Sequence, residues 1–504
     1  MKRYVFVFLA MAAVIAAPMV LRPPESARTS DYAEKDRLVI ITPHVETIRY
    51  ELETAFVRWM KEKHGRRVVI DWRIPGGTSD IIKVVNSEYA AAGERSGIAM
   101  DLMLGGGPID YDGLKQSGYI VAADPTGKYG PAAVKAAHPD WFSDAIIPAS
   151  VAGQVYYDPA LTWMGTCLSA FGMCWNQNNV ERRGMAPPAT WSDLANPAYE
   201  NQLAMADPTK SGTVAAMFEN ILQMSIAKSV AEGKAAGEGP DKVNARISQG
   251  WDAGLREIRR IGANSRYWTD SAAKIPLDVS HGEALAGMCV DFYGRNIMER
   301  LTKVNGESRV GFIAPVGGTT IGPQPVAMFR GAPNPELATR FIEFMLSLEG
   351  QKIWGLKAGV PGGPEKMALR NMPLRRDYYV PEILKDAADP ELRPLEPGVA
   401  FVYERKYTGH LFSSIRFLIR AMCIDPQIEL KEAWHELIAR GFPPQATEAF
   451  EALSPSLGYE AVKATIAPVL KSKDALAATR LARELSGQFR EQYLKVSALA
   501  REGK

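Results

Sequence analysis

Ser211-Gly212-Thr213 stands where a short apolar strand, Ala204-Met205-Ala206, passes through Asp207-Pro208-Thr209-Lys210 into a helical pattern carrying Ala215, Met217, Phe218, Ile221 and Leu222. A hydroxyl–glycine–hydroxyl turn at a helix start presents N–H groups without intrahelical partners, at the positive end of the helix dipole. Such a turn is ready to hold an anion, although Ser and Thr also serve as plain helix caps. A second constellation, Asp291-Phe292-Tyr293-Gly294-Arg295, follows an apolar run from Ala284 to Val290. Asp291 and Tyr293 carry hard oxygen donors and Arg295 a guanidinium able to clamp an anion. The plainer alternative is a strand end with a structural tyrosine and a surface arginine. His44, the turn Gly77-Thr78-Ser79 and the glycines Gly105, Gly106 and Gly107 supply an imidazole, hydroxyls and backbone N–H groups.

The elements that must position these groups alternate. Leu38 to Ile41, Val68 to Trp72 and Leu102 to Leu104 read as buried parallel strands. Between them, Ile48, Leu52, Phe56 and Met60, and then Ile81, Val85 and Tyr89, recur at helical spacing. Strand–helix alternation with glycine-rich turns argues for an open parallel α/β sheet, with ligands beyond the carboxyl ends of its strands. His44, Thr78 and Gly106 then share one rim. Trp163 to Trp175 reads as extended chain crossing to a second lobe, Val310 to Pro315 as a strand returning to the first, and Leu337 to Ile353 as one amphipathic helix. Ala231 to Asp241 reads as a surface loop and Asp386 to Pro397 as a proline-rich linker. Leu411 to Met422, Ile428 to Ile438 and Leu476 to Leu499 read as helices, the last with Leu481, Leu485, Phe489 and Val496 on a core-packing stripe.

Three ordered segments resemble the bacterial extracellular solute-binding proteins of the ferric-iron type, the binding components of ABC importers. They are Pro188, Thr190, Trp191, Asp193, Leu194 and Pro197 leading to Asp207-Pro208 and Ser211-Gly212-Thr213; Asn334-Pro335-Glu336 through Phe341, Ile342, Phe344, Leu346, Ser347 and Glu349-Gly350-Gln351; and Phe171-Gly172 to Asn176. The resemblance spans about residues 37 to 380. It implies a two-lobed, type 2 periplasmic-binding-protein-like α/β fold whose lobes close over a solute, and an ABC permease as partner. It places ligand contacts at His44, Gly77, Thr78, Ser79, Gly106, Gly107, Ser211, Gly212, Thr213, Asp291, Tyr293 and Arg295. It also makes His44, Asp291 and Tyr293 a candidate metal set, with Fe(III) and a synergistic anion as ligand. Phe292 stands where such proteins carry one tyrosine of a pair, which removes a phenolate and leaves a small anionic or phosphorylated organic solute as the competing ligand.

The expected organisation is a signal peptide or anchor over residues 1–24, a linker over 25–36, one lobe from 37–162 and 297–380, a second from 163–296, and a linker with a C-terminal helical extension over 381–504. Lys2 and Arg3 before an uncharged stretch from Tyr4 to Leu21 suit export to the periplasm, with the segment either cleaved or retained as an anchor. A net charge of +2 on 504 residues gives no electrostatic case for nucleic acid. Cys167, Cys174, Cys289 and Cys423 form no C-x-x-C pair and read as small buried hydrophobes. No phosphate-binding P-loop or nucleophile elbow is present, and the position a zinc-binding H-E-x-x-H would need after His435-Glu436 holds Ala439. A non-enzymatic, monomeric solute receptor without a resident cofactor is therefore expected. A ligand sensor without transport, a hydrolase, or an envelope protein using its C-terminal helices for interaction stand as alternatives.

Overall fold

The computed structural model describes residues 36–93, 97–302, 306–472 and 474–504. The segments expected to be a signal peptide or anchor and, but for Asp36, a linker lie outside the described residues. Twelve strands are present among the described residues: β1 (Arg37–Ile41), β2 (Val69–Arg73), β3 (Leu102–Leu104), β4 (Ile120–Val121), β5 (Ser150–Val151), β6 (Gln154–Val155), β7 (Met164–Asn176), β8 (Leu203–Ala206), β9 (Ser265–Thr269), β10 (Ala286–Val290), β11 (Val310–Ile313) and β12 (Ile321–Phe329). Ten of them form one sheet in the order β2-β1-β3-β12-β7-β10-β8-β9, with β4 on β12 and β11 on β7; β5 and β6 form a separate hairpin.

The β2-β1-β3 and β10-β8-β9 wings are parallel, as the alternation predicts. The centre is not. β7 runs antiparallel to β12 over Met164–Ala170 and antiparallel to β10 and β11 over Phe171–Asn176. A strand of 13 residues is long enough to serve two lobes in succession, and its near-continuous burial requires cover on both faces. The return to the first lobe is made by β12, not β11. Val310 to Ile313 pairs with the second-lobe half of β7.

Local chemistry explains the motif residues. Thr190 and Asp193 form a reciprocal capping box, and the Trp191 indole donates to Gly318 O at 2.7 Å. Asp207 Oδ1 accepts from both the N–H and the hydroxyl of Thr209, at 2.8 and 2.6 Å, which sets the turn before Ser211. Gln351 Nε2 donates to Thr166 O and Met345 O, tying its helix to β7. Three expectations shift. The 337–353 pattern is two helices, Pro335–Leu346 and Leu348–Gly355, because Ser347 caps the second through Gly350 N–H at 3.1 Å. The helix Gly212–Ala235 consumes half of the expected 231–241 loop, since Ala, Glu and Lys favour helix. The proline-rich 386–397 stretch is pinned rather than free: Asp389 pairs with Arg370 at 2.5 Å and Leu395 is buried.

One hydrophobic core runs through both lobes and the C-terminal helices. The helix Val243–Ala263 is the seam. Its Trp251 indole donates to Leu457 O at 2.9 Å, and its fully buried Arg259 donates to the carbonyls of Phe450 and Ala452 and lies over the Phe450 and Phe489 rings. Leu485, Phe489 and Val496 of the last helix, Ala475–Arg501, are buried as the stripe predicts. All four cysteines are free and buried. No helix among the described residues is long and apolar enough to cross a membrane.

Candidate functional site

A cleft of about 490 Å³ opens between the lobes. Five helices begin at it. Their N-cap residues Gly77, Gly107, Ser211, Ala273 and Val290 all line the cavity, ahead of helices Thr78–Ala92, Pro108–Gln116, Gly212–Ala235, Lys274–His281 and Asp291–Arg300. Ser211 alone of the five N-caps gives a side-chain cap, to Val214 N–H at 3.3 Å. A helix start carries the positive dipole end and N–H groups without intrahelical partners. Here Pro108 has no N–H, and the Lys274 and Phe292 N–H groups already donate to Ser271 O and Asp291 Oδ1, so the starts at Thr78 and Gly212 are the ones best placed to receive an anion. The two sides come close: a methyl at Gly212 would stand 3.5 Å from Asp110 Oδ2 and 4.0 Å from Thr78 Cβ.

On the first-lobe wall, Gly105 and Gly106 adopt φ of 88° and 93°, which side chains rarely do. A Cβ at Gly105 would meet His44 Cε1 at 2.2 Å, and one at Gly106 would meet Thr78 Cγ2 at 2.8 Å. The glycines thus let His44 and Thr78 lie flat against the loop. The His44 imidazole is buried and both ring nitrogens are engaged, Nδ1 with Thr42 Oγ1 at 2.7 Å and Nε2 with Gln324 Oε1 at 2.9 Å. Burial pulls its pKa down to about 4, so the ring is neutral at pH 7. Since the Gln324 oxygen only accepts, Nε2 carries the proton.

Of the residues expected from the sequence, His44, Gly77, Thr78, Gly106, Gly107, Ser211, Gly212, Thr213 and Tyr293 line the cleft, and Phe292 joins them. Ser79, Asp291 and Arg295 do not. Ser79 Oγ accepts from the Arg416 guanidinium at 2.5 Å. Asp291 is fully buried, with Oδ2 on Arg295 at 2.6 Å and Oδ1 accepting its neighbour's N–H from Phe292 at 2.8 Å. Once Asp291 starts a helix, Arg295 four residues on lies on the same face, so the pair satisfies itself in the interior. Burial raises the Asp291 carboxyl above the ordinary range, with Arg295 opposing the shift. The expected metal set does not assemble: Asp291 is turned away and His44 is already bonded twice. Among the described residues no group of three or more His, Cys, Asp or Glu is placed to hold a metal ion. Tyr293 is half-buried against Phe292, with ring centroids 4.4 Å apart, and its surroundings push its hydroxyl well above the usual pKa.

Part of the wall is not legible in the sequence. Tyr403, Arg405 and Phe412 from the C-terminal region line the cleft, as do Glu219, Asn220, Thr320 and Gln324. Glu219 and Asn220 did leave a signal, two adjacent polar residues inside an apolar stretch from Val214 to Leu222. Tyr403, Arg405 and Phe412 left none, because long-range chain return alone brings them there. Arg405 pairs with Asp112 at 2.6 Å and Tyr403 N–H donates to Ala152 O at 2.9 Å, both on the first lobe. Arg416 Nε donates to Pro208 O at 2.6 Å on the second lobe while its other nitrogen reaches Ser79.

Two lobes sharing crossing strands, with a cavity between them ringed by helix starts, define a two-lobed solute receptor. Residues 82–373 match the bacterial extracellular solute-binding proteins, and the chain belongs to that family. It is 22% identical over 302 residues to the phosphoglycerate transport regulatory protein PgtC of Salmonella typhimurium, spanning 60% of this chain and 60% of that relative's length. The periplasmic binding protein AfuA of Actinobacillus pleuropneumoniae, solved with fructose 6-phosphate, is 18% identical over 63% of this chain and 81% of its own, with a TM-score of 0.45. Iron-bound HitA of Pseudomonas aeruginosa is 14% identical over 76% of this chain and 99% of its own, with a TM-score of 0.47.

Proposed function

We propose that this chain is the exported solute-binding component of an ABC importer and that it captures a small anionic, phosphorylated organic solute between its lobes. The helix starts at Thr78 and Gly212, brought together at one cleft, carry the reading. Backbone N–H groups and helix dipoles bind phosphate-like anions without needing a free cation. Ferric iron fits less well, since Tyr293 would be left with little help from His44 or Asp291. Closure of the lobes would bury the solute and form the surface that docks a permease.

A panel of inorganic phosphate, 3-phosphoglycerate, fructose 6-phosphate and ferric citrate tests this by thermal shift and calorimetry. Phosphorylated compounds are expected to stabilise the protein and to compact it in small-angle scattering. Ferric citrate is expected to give no visible phenolate-to-iron absorption. A coloured iron complex that fades in Tyr293→Phe would reverse the ligand assignment, and no binding across the panel would end the phosphate reading. A second reading, ligand sensing without transport, is favoured by the name of the Salmonella relative, a transport regulatory protein. Permease and ATPase genes beside this one would speak for transport, and signalling genes for sensing.

A further inference from the structure

The helix capped by Ser211 carries three buried polar residues within five positions, Glu219, Asn220 and Gln223, of which the first two line the cleft. Their bonds are specific. Gln223 Nε2 donates to Thr408 Oγ1 at 2.6 Å, Thr408 donates to Glu219 Oε1 at 2.6 Å, and the Tyr403 hydroxyl donates to the same Oε1 at 2.8 Å. Thr320 Oγ1 donates to Asn220 Oδ1 at 3.1 Å. Asn220 Nδ2 is left without a partner although the residue is only 1% exposed. A buried donor left unpaired is destabilising, and a ligand oxygen that accepts from it removes that cost. Asn220, Glu219, Thr320 and Tyr403 all line the cleft. The wall therefore offers one unspent amide donor beside a carboxylate whose protein bonds both fall on Oε1.

We propose that Glu219 and Asn220, held in place by Thr320 and by Tyr403 and Thr408 of the C-terminal region, form a subsite for the hydroxyl groups of the solute. The proposal rests on the anionic reading above and adds the other end of the ligand. A hydroxyl oxygen accepts from Asn220 Nδ2 and a hydroxyl proton goes to the Glu219 carboxylate. An adjacent donor and acceptor suit neighbouring hydroxyls, as on a sugar or other polyol. Gly212 and Asn220 are separated by a helical rise of roughly 12 Å, shortened by a side chain that leans toward the helix start. A phosphate at Ser211–Thr213 and hydroxyls at Asn220 thus call for a ligand as long as a hexose phosphate. Residues 403 and 408 lie beyond the family match of 82–373, so the C-terminal region sets a specificity of its own.

The test is selectivity, measured by calorimetry on the full chain with fructose 6-phosphate and inorganic phosphate as probes. Asn220→Leu removes the amide at similar volume, and Tyr403→Phe removes one hydroxyl at the cleft edge and serves if the first variant does not fold. Either change is expected to lower the preference for fructose 6-phosphate over phosphate, by about tenfold or more for Asn220→Leu. Preference retained within twofold in a folded variant overturns the subsite, as does equal weakening of both probes. If phosphate binds the parent protein but fructose 6-phosphate binds no better, the subsite falls and the anion reading stands. If neither binds the parent protein, the anion reading falls and takes the subsite with it.

Discussion

Burial pulls the folded His44 imidazole down to a pKa of about 4, while the unfolded chain titrates near 6.5. Between those values the unfolded state binds the extra proton. Stability therefore rises with pH across that window; the His44 contribution is complete above pH 6.5 and is lost as pH falls toward 4. Its size is about 3 kcal/mol. Denaturant melts of the parent protein and of His44→Gln are expected to draw together by up to that amount between pH 7 and 4; curves that stay parallel would show that this ring does not titrate with folding. The same two hydrogen bonds that fix the ring remove it as a metal ligand. Sequence could place His44 at the end of a strand, and it lies on the cleft wall. It could not show that Gln324, from β12, would occupy Nε2. Asp291 and Arg295 are the converse case: their spacing of four announces an ion pair as soon as the helix start at Asp291 is accepted.

At the scale of elements, the helix starts at Thr78 and Gly212 are legible because glycine and hydroxyl residues mark them locally, whereas those at Lys274 and Asp291 follow Ala273 and Val290 and carry no such mark. Ser211 is the clearest, and Ser211→Ala is expected to cost about 1 kcal/mol through loss of the Val214 N–H cap, read as a lower midpoint in denaturant. The inter-element bonds were not legible. Arg416 belongs to the helix Phe412–Ile419, yet it bonds Pro208 O and Thr209 O on the second lobe and Ser79 Oγ on the first. Its guanidinium is held where desolvation lowers its pKa and Asp110 and Asp207 resist that shift. A charged donor bonded to a neutral acceptor contributes about 1.5–3 kcal/mol, so this latch weights the balance between closed and open lobes. Arg416→Met is expected to give a larger radius of gyration without ligand, restored on adding fructose 6-phosphate. An unchanged radius would mean that the lobes are held by the strands alone.

On the scale of the whole molecule, the C-terminal region reads as a linker and a helical extension with a core-packing stripe, and its helices pack against the second lobe. Periodicity reveals that a helix has an apolar face but not what covers it. Here the cover is mutual. Trp434 donates to Asn264 Oδ1 at 2.7 Å, Trp251 to Leu457 O, and Arg259 is buried under Phe450 and Phe489. Ending the chain at residue 399 would strip Arg259 of its carbonyl partners, open the apolar face of Val243–Ala263, and remove Tyr403, Arg405 and Phe412 from the cleft. Each buried aromatic lost in this way forfeits about 1.5–3 kcal/mol, and a domain holds only about 5–15 kcal/mol in total. The shortened chain is therefore expected to aggregate on size exclusion and to melt without a cooperative transition. A soluble 1–399 chain with a sharp transition would restore the tail as a separable module, and its phosphate binding would then show whether the helix starts alone suffice to hold the anion.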